Sequence, residues 1–142
     1  MPFFYMEPEV AGGLGENSIL DRSVHPPLVS RLHYDLDGWL GDVILESFPV
    51  FIVTEETKNA ILLANMTGCS FDEVEITTTE NFREIYPEKE LPSFAWLKPG
   101  QQAGQDDFST AQDGRLVISG RALHLLQDLG ADNAIVEEFT GR

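Results

Sequence analysis

Two stretches of this chain share one grammar. "PVFIVTEETKNAILLANMTG", residues 49–68, and "GRLVISGRALHLLQDLG", residues 114–130, each begin with a short apolar, β-branched run. Each then meets a hydroxyl residue, continues with apolar residues at helical spacing and ends on a glycine. A β-branched run favours a strand. A serine or threonine just before the helical pattern is a preferred N-cap, and a glycine just after it is a preferred stop. Thr54 and Ser119 are the expected caps, with Glu55 and Glu56 placed where the helix dipole favours acids. Gly68 and Gly130 are the expected stops, so the second helix should be about one turn shorter than the first. Ile61, Leu62 and Met66 are expected to share the buried face of the first helix, with Ala60 and Leu63 at its margins. Leu123, Leu126 and Leu129 are expected on that of the second, with Leu125 beside them. Each unit is followed by an acid-edged strand, "SFDEVEIT" at 70–77 and "ADNAIVEEF" at 131–139.

Strand–helix–strand units of this kind predict an α+β fold with a mainly antiparallel or mixed sheet, two main helices and a pseudo-repeat. The chain has 142 residues, the usual size of one domain, and residues 1–142 are read as a single α+β domain. Around the units, "PFFYMEPEV" reads as a strand and "AGGLGENSILDRSVHPP" as a long loop punctuated by Gly and Pro. "RLHYDLDGW" alternates: Leu32, Tyr34 and Leu36 on one face, His33, Asp35 and Asp37 on the other. "VILESFPVFIV" reads as a buried strand interrupted by Pro49, "ENFREIYP" as one or two turns of helix and "SFAWLKP" as a strand. The expected core comprises Phe4, Leu32, Tyr34, Phe51, Val53, Ile61, Leu62, Val74, Ile76, Leu116, Ile118, Leu123, Leu126, Ile135 and Phe139. Both helices are expected on one sheet face.

Charge is the strongest compositional signal. Twenty-four acidic residues against nine basic ones give a net charge of −15. Phosphate recognition needs Lys and Arg, so nucleic acid and anionic membranes are poor partners. A cationic protein surface is a good one. No apolar run approaches a membrane span. The start of the chain lacks the basic region of a secretory signal, so a cytoplasmic location is expected. Cys69 is the only cysteine, and its acidic neighbours predict an unreactive thiol.

No catalytic constellation stands out. His25, His33 and His124 have no metal-ligand spacing, and His124 can pair with Asp128 one helical turn on. "GGLG" at 12–15 has no following lysine and reads as a turn rather than a phosphate loop. No metal and no cofactor is called for. A hydrolase built on Asp106, Asp107 and His33 is a third-ranked alternative. Trp39, Trp96, Tyr34 and Phe94 are expected in the core. Lining a small-ligand pocket is their alternative role. Trp39 sits in "LDGWLGD", between Asp37 and Asp42, as an aromatic anchor ringed by acids. Asp72, Glu73, Glu75, Glu80 and Glu84 form the densest acidic stretch. With Trp39, Asp42, Asp106 and Asp107 they are the candidate partner-binding residues.

The passage "DDFSTAQDGRLVISGRALHLL", residues 106–126, together with the earlier "PVFIVTEETKNAIL", resembles immunity proteins of bacterial polymorphic toxin systems. The resemblance is strongest over residues 106–139 and weaker over 43–76. It implies a non-enzymatic inhibitor that binds a cognate toxin domain and blocks its active site. The acidic charge makes a basic toxin the expected partner, such as a nuclease, deaminase or ADP-ribosyltransferase. The alternative is a small-ligand-binding or regulatory α+β domain.

Overall fold

A computed structural model describes residues 2–141. Among the described residues the fold is α+β, with several antiparallel and mixed sheets and three helices. No helix among the described residues is long and apolar enough to cross a membrane.

The repeat seen in the sequence organises the molecule. Its first unit is β6 (Ile44–Ser47), β7 (Val50–Thr54), α1 (Glu55–Leu63) and β8 (Cys69–Asp72). Its second is β11 (Phe108–Thr110), β12 (Leu116–Ser119), α3 (Gly120–Leu129) and β13 (Ile135–Glu138). Each unit forms a four-stranded sheet, but neither supplies its own third strand. In the first sheet β10 (Phe94–Pro99) lies between β7 and β8, giving the order β6-β7-β10-β8. In the second, β1 (Phe3–Glu7) lies between β12 and β13, giving β11-β12-β1-β13. β1 precedes the first unit and β10 immediately precedes the second, so the two halves exchange their leading strands.

The equivalence extends to single hydrogen bonds. Phe94 is opposite the cap Thr54, and Phe3 is opposite the cap Ser119. The Thr54 N–H donates to the Val43 carbonyl, and the Ser119 N–H to that of Asp107, both at 3.0 Å. The first helical N–H of each unit is satisfied by the exchanged strand: Glu55 donates to Ser93 O at 2.9 Å and Gly120 to Pro2 O at 3.1 Å. The cap hydroxyls accept from Thr57 N–H and Ala122 N–H, each cap being worth about 1 kcal/mol.

Both helices end on left-handed residues, but the sequence misplaces the first. α1 stops at Leu63, and Asn65 takes φ 53°. Met66 N–H then donates to Ile61 O and Asn65 N–H to Leu62 O, the pattern that closes a helix around a left-handed residue. Gly68 lies in the turn beyond. α1 therefore has nine residues and α3 ten, so the expected difference of one turn is absent.

The two helices do not share one sheet face. α1 packs on β7 and β10, α3 on β12 and β1, and the helices touch each other. A first core fills the space between both sheets and both helices. It includes Met6, Ile44, Phe51, Val53, Ile61, Leu97, Phe108, Ile118 and Leu126. A second core lies on the other face of the first sheet, where β2 (Gly12–Leu14), β5 (His33–Leu36) and β9 (Glu75–Thr78) form a covering layer. Tyr34, Leu36, Leu45, Ile52, Phe94 and Trp96 are buried there with Phe82 of α2 (Glu80–Ile85).

Several expectations are corrected. "VILESFPVFIV" is a hairpin turning at Phe48–Pro49, and its second strand, β7, starts with four apolar residues because it is buried on both faces. "SFDEVEIT" breaks into β8 and β9, which belong to different sheets. The supposed loop 11–27 holds β2 and β3 (Ile19–Asp21), the latter paired with β4 (Leu28–Arg31). In the "GGLG" segment a Cβ on Gly12 would lie 2.0 Å from Asp35 O, and one on Gly15 would lie 2.1 Å from the His33 ring. These glycines allow close packing. Leu62 is 54% and Ile135 59% exposed, so neither is core. Thr57 takes the inner position on α1, and Val136, rather than Ile135, packs on the first core.

Candidate functional site

A cleft of about 640 Å³ opens between the second layer and the 38–42 loop. The alternation in "RLHYDLDGW" places Asp35 and Asp37 along it, and Trp39 and Tyr86 also line it. Both aromatics rest on the second core. Trp39 meets Phe94 edge-on, centroids 5.9 Å apart, and Tyr86 stacks at a tilt on Phe82 at 5.0 Å. Between them stands Lys89, its Nζ 5.0 Å from the Trp39 ring centroid and 4.8 Å from that of Tyr86. Val10 and Leu40, 68% and 69% exposed, belong to the same lining.

The Trp39 loop is held rigidly. Its indole Nε1–H donates to Asp42 O at 3.0 Å. The buried Glu9 carboxylate accepts from Leu40 N–H at 2.7 Å and Asp42 N–H at 3.3 Å. Burial pushes the Glu9 carboxyl above its ordinary value, against those two N–H donors and Lys89. The Asp42 carboxylate in turn accepts from Asn133 N–H and Nδ2–H, both at 2.8 Å.

The cleft carboxylates are oriented as well. Thr77 Oγ1 donates to Asp35 at 2.7 Å and Thr79 Oγ1 donates to Asp37 at 2.7 Å. Thr77 Oγ1 also lies 2.7 Å from His33 Nε2. His33 Nδ1 accepts from Asn17 N–H at 3.2 Å, so the ring proton sits on Nε2, facing Thr77. The parallel pairing of β5 with β9 sets Asp35 opposite Thr77 and creates this chain.

The residues singled out from the sequence fall into separate groups. Trp39 borders the cleft, and Glu80 and Glu84 lie exposed on the short helix that begins beside it. Asp72, Glu73 and Glu75 line another cavity, of about 320 Å³, with Arg31. There Asp72 pairs with Lys98 at 3.5 Å and Glu75 accepts from Asn17 Nδ2 at 3.2 Å. Asp42 is only 1% exposed, so it is a fastening for Asn133 rather than a surface contact.

Asp107 is also internal, at 6% exposure. It accepts from Ser119 Oγ at 2.6 Å, Thr67 N–H at 2.9 Å and Arg121 Nε and Nη2 at 2.9 and 2.6 Å. Arg121 holds its carboxyl well below the ordinary value, against the cost of burial. Asp107 thus ties the turn after α1 to the cap of α3. Asp106 beside it is half-buried.

His33 lies in the second layer, so the trio of His33, Asp106 and Asp107 is divided between layers and held by different partners. His33 itself is buried, contrary to the polar-face reading. Tyr34, Phe94 and Trp96 are core. His124 pairs with Asp128 at 3.3 Å. The Cys69 thiol is pushed up to about 11 by burial and by Asp107.

Sequence reasoning missed Glu9, Tyr86 and Lys89. Asp35 and Asp37 were legible as a polar strand face, but nothing local told that Thr77 of β9 and Thr79, the cap of α2, would orient them. No group of three or more His, Cys, Asp or Glu among the described residues is placed to hold a metal ion. Compared with protein-family models, curated proteins and solved structures, the chain matches none.

Proposed function

We propose that the protein is a non-enzymatic inhibitor acting in the cytoplasm. It binds a basic protein domain and blocks that domain's active site, in the manner of the immunity proteins that residues 106–139 resemble. The observation that carries this reading is the combination of a net charge of −15 with a cleft whose aromatic walls and carboxylates are fixed by internal bonds. Preorganised carboxylates lose little freedom on binding, and a field of one sign speeds encounter with a cationic partner. The other strongly tied acids, Asp42 and Asp107, stabilise the fold and leave the binding role to exposed groups.

The test is to find whether an adjacent reading frame encodes a basic toxin-like domain, and to mix the pure protein with that domain; the lack of any such neighbour counts against the proposal. Stoichiometric binding should abolish the toxin's activity, and affinity should fall as salt rises. Failure to bind, or binding that leaves the toxin active, refutes the proposal. Affinity indifferent to salt removes its electrostatic basis.

A second reading rests on the cleft volume, which lies in the range of small-molecule sites. A cationic metabolite that raises Tm in a thermal-shift screen, where the neighbour-encoded protein does not bind, favours this reading.

A further inference from the structure

Two aromatic rings of the cleft wall already carry an ammonium group. Lys89 Nζ sits within reach of two aromatic faces that belong to separate segments, Trp39 in the 38–42 loop and Tyr86 after α2. Both rings are braced from below by core phenylalanines. A cation between two ring faces is attracted by both quadrupoles. Lys89 is nevertheless a weak tenant: it is exposed and lies in a turn just beyond Pro87. Asp35 and Asp37 line the same space, each held through one oxygen by a threonine. Val10 and Leu40 add exposed apolar surface to this lining. Aromatic anchors, oriented acids and an apolar margin together make a receptor for a long cationic side chain, whose stem needs apolar contact and whose head needs charge.

We infer that the Trp39–Tyr86 cleft receives a lysine or arginine side chain presented by a basic protein surface, and that Lys89, lying against the same two rings, is an internal competitor which the partner's cation displaces. This rests on the proposed inhibitor function only in taking the partner to be a basic protein. The competitor sets a threshold. A single weak cation does not gain from replacing Lys89, whereas a cation supported by further contacts around the cleft does.

Titration of the pure protein with N-acetyl-hexalysine amide, followed by tryptophan fluorescence and calorimetry, tests the inference. Lys89→Ala should tighten binding by about threefold or more, the strength expected of a released cation–π site. Lys58→Ala makes the same charge change on α1 and should leave affinity within about twofold, since screening weakens distant charges. Tyr86→Ala and Asp37→Asn should each weaken binding by about threefold or more relative to wild type. Trp39→Phe should weaken it less while preserving the fold. Equal effects of Lys89→Ala and Lys58→Ala, or unchanged binding by Tyr86→Ala and Asp37→Asn, overturn the inference. With the neighbour-encoded toxin the two proposals separate. Toxin binding insensitive to Lys89→Ala and Asp37→Asn sinks the cleft and keeps the inhibitor. Peptide effects as expected, with no toxin bound, keep the cleft and sink the toxin as partner.

Discussion

Glu46 offers the sharpest quantitative test of the packing between the two four-stranded sheets. It lies on β6 opposite Phe51. Its backbone is fully used, the N–H donating to Glu9 O at 2.9 Å and the carbonyl accepting from Tyr34 OH at 2.9 Å. Its carboxyl is pushed up to about 7 from an ordinary 4.5, first by burial and then by Glu7. Because the folded chain holds this proton more tightly than the unfolded chain, the associated stability is complete below pH 4.5. It is lost as the pH rises through 7. Each pH unit of such a displacement is worth about 1.4 kcal/mol, giving a ceiling of about 3 kcal/mol. The side chain is partly exposed, and solvent screening reduces this to about 1–2 kcal/mol. Glu46→Gln keeps the shape and removes the ionisation. Urea unfolding at constant ionic strength should find the variant more stable than wild type by about 1–2 kcal/mol at pH 8, with most of that difference gone at pH 5. The other acids are the same in both proteins, so their contributions cancel in the difference. A difference that does not change between the two pH values, or a variant weaker at pH 8, refutes the assignment of a buried, like-charged carboxyl.

Asp107→Asn should cost about 2–4 kcal/mol in urea unfolding at pH 7, because Arg121, Ser119 and Thr67 lose a shared charged acceptor. Arg121 depresses the Asp107 carboxyl, so this stabilisation is present above its ordinary pKa and fades as the pH falls below it. The gap between variant and wild type should close on acidification. Asn65→Gly should leave stability unchanged or raise it by up to about 1 kcal/mol, whereas Asn65→Ala should lower it by about 1 kcal/mol. The φ of 53° is left-handed, and thermal melts of the two variants should bracket wild type.

What the sequence disclosed was local. Caps at Thr54 and Ser119, the stop at Gly130 and the alternation through Leu32, Tyr34 and Leu36 follow from side-chain chemistry within a few residues of each position, and all are present in the structure. The stop of α1 was misread because Asn65 competes with Gly68 for the left-handed position, and a helix that closes its last carbonyls earlier leaves the glycine free for the next turn. Leu62 and Ile135 were misassigned because an apolar residue beside a buried one is indistinguishable from it until the facing element is known. The cleft lay further out of reach. It joins residue 9 to residue 40, and it joins residues 35 and 37 to residues 77 and 79 through a parallel strand pair that no local pattern announces. Asp42 and Asp107 show the converse. In a chain this acidic the carboxylates that build the fold look the same in sequence as those that face a partner.

The strand exchange makes a strong demand on folding. If β1 and β10 are the central strands of each other's sheets, neither half can complete a sheet from its own residues. A chain cut between Glu90 and Leu91, in the irregular segment before β10, gives a first fragment with β6, β7, α1 and β8 but without β10. The second fragment has β11, β12, α3 and β13 but lacks β1. Each is left with a gap where a fully paired strand belongs, exposing backbone donors and acceptors as well as Phe51 and Ile118. Neither should unfold cooperatively alone. Mixed at equal concentration, they should pair through both exchanged strands and recover a cooperative urea transition whose midpoint depends on concentration. Trp96, the second fragment's tryptophan, is 5% exposed in the intact chain. With Trp39→Phe in the first fragment, its emission should move to shorter wavelength on mixing and not before. A fragment that folds alone would mean that its unit is satisfied without the partner's strand. The matching bonds from Pro2 and Ser93 to the two helix starts would then be a consequence of packing rather than its cause.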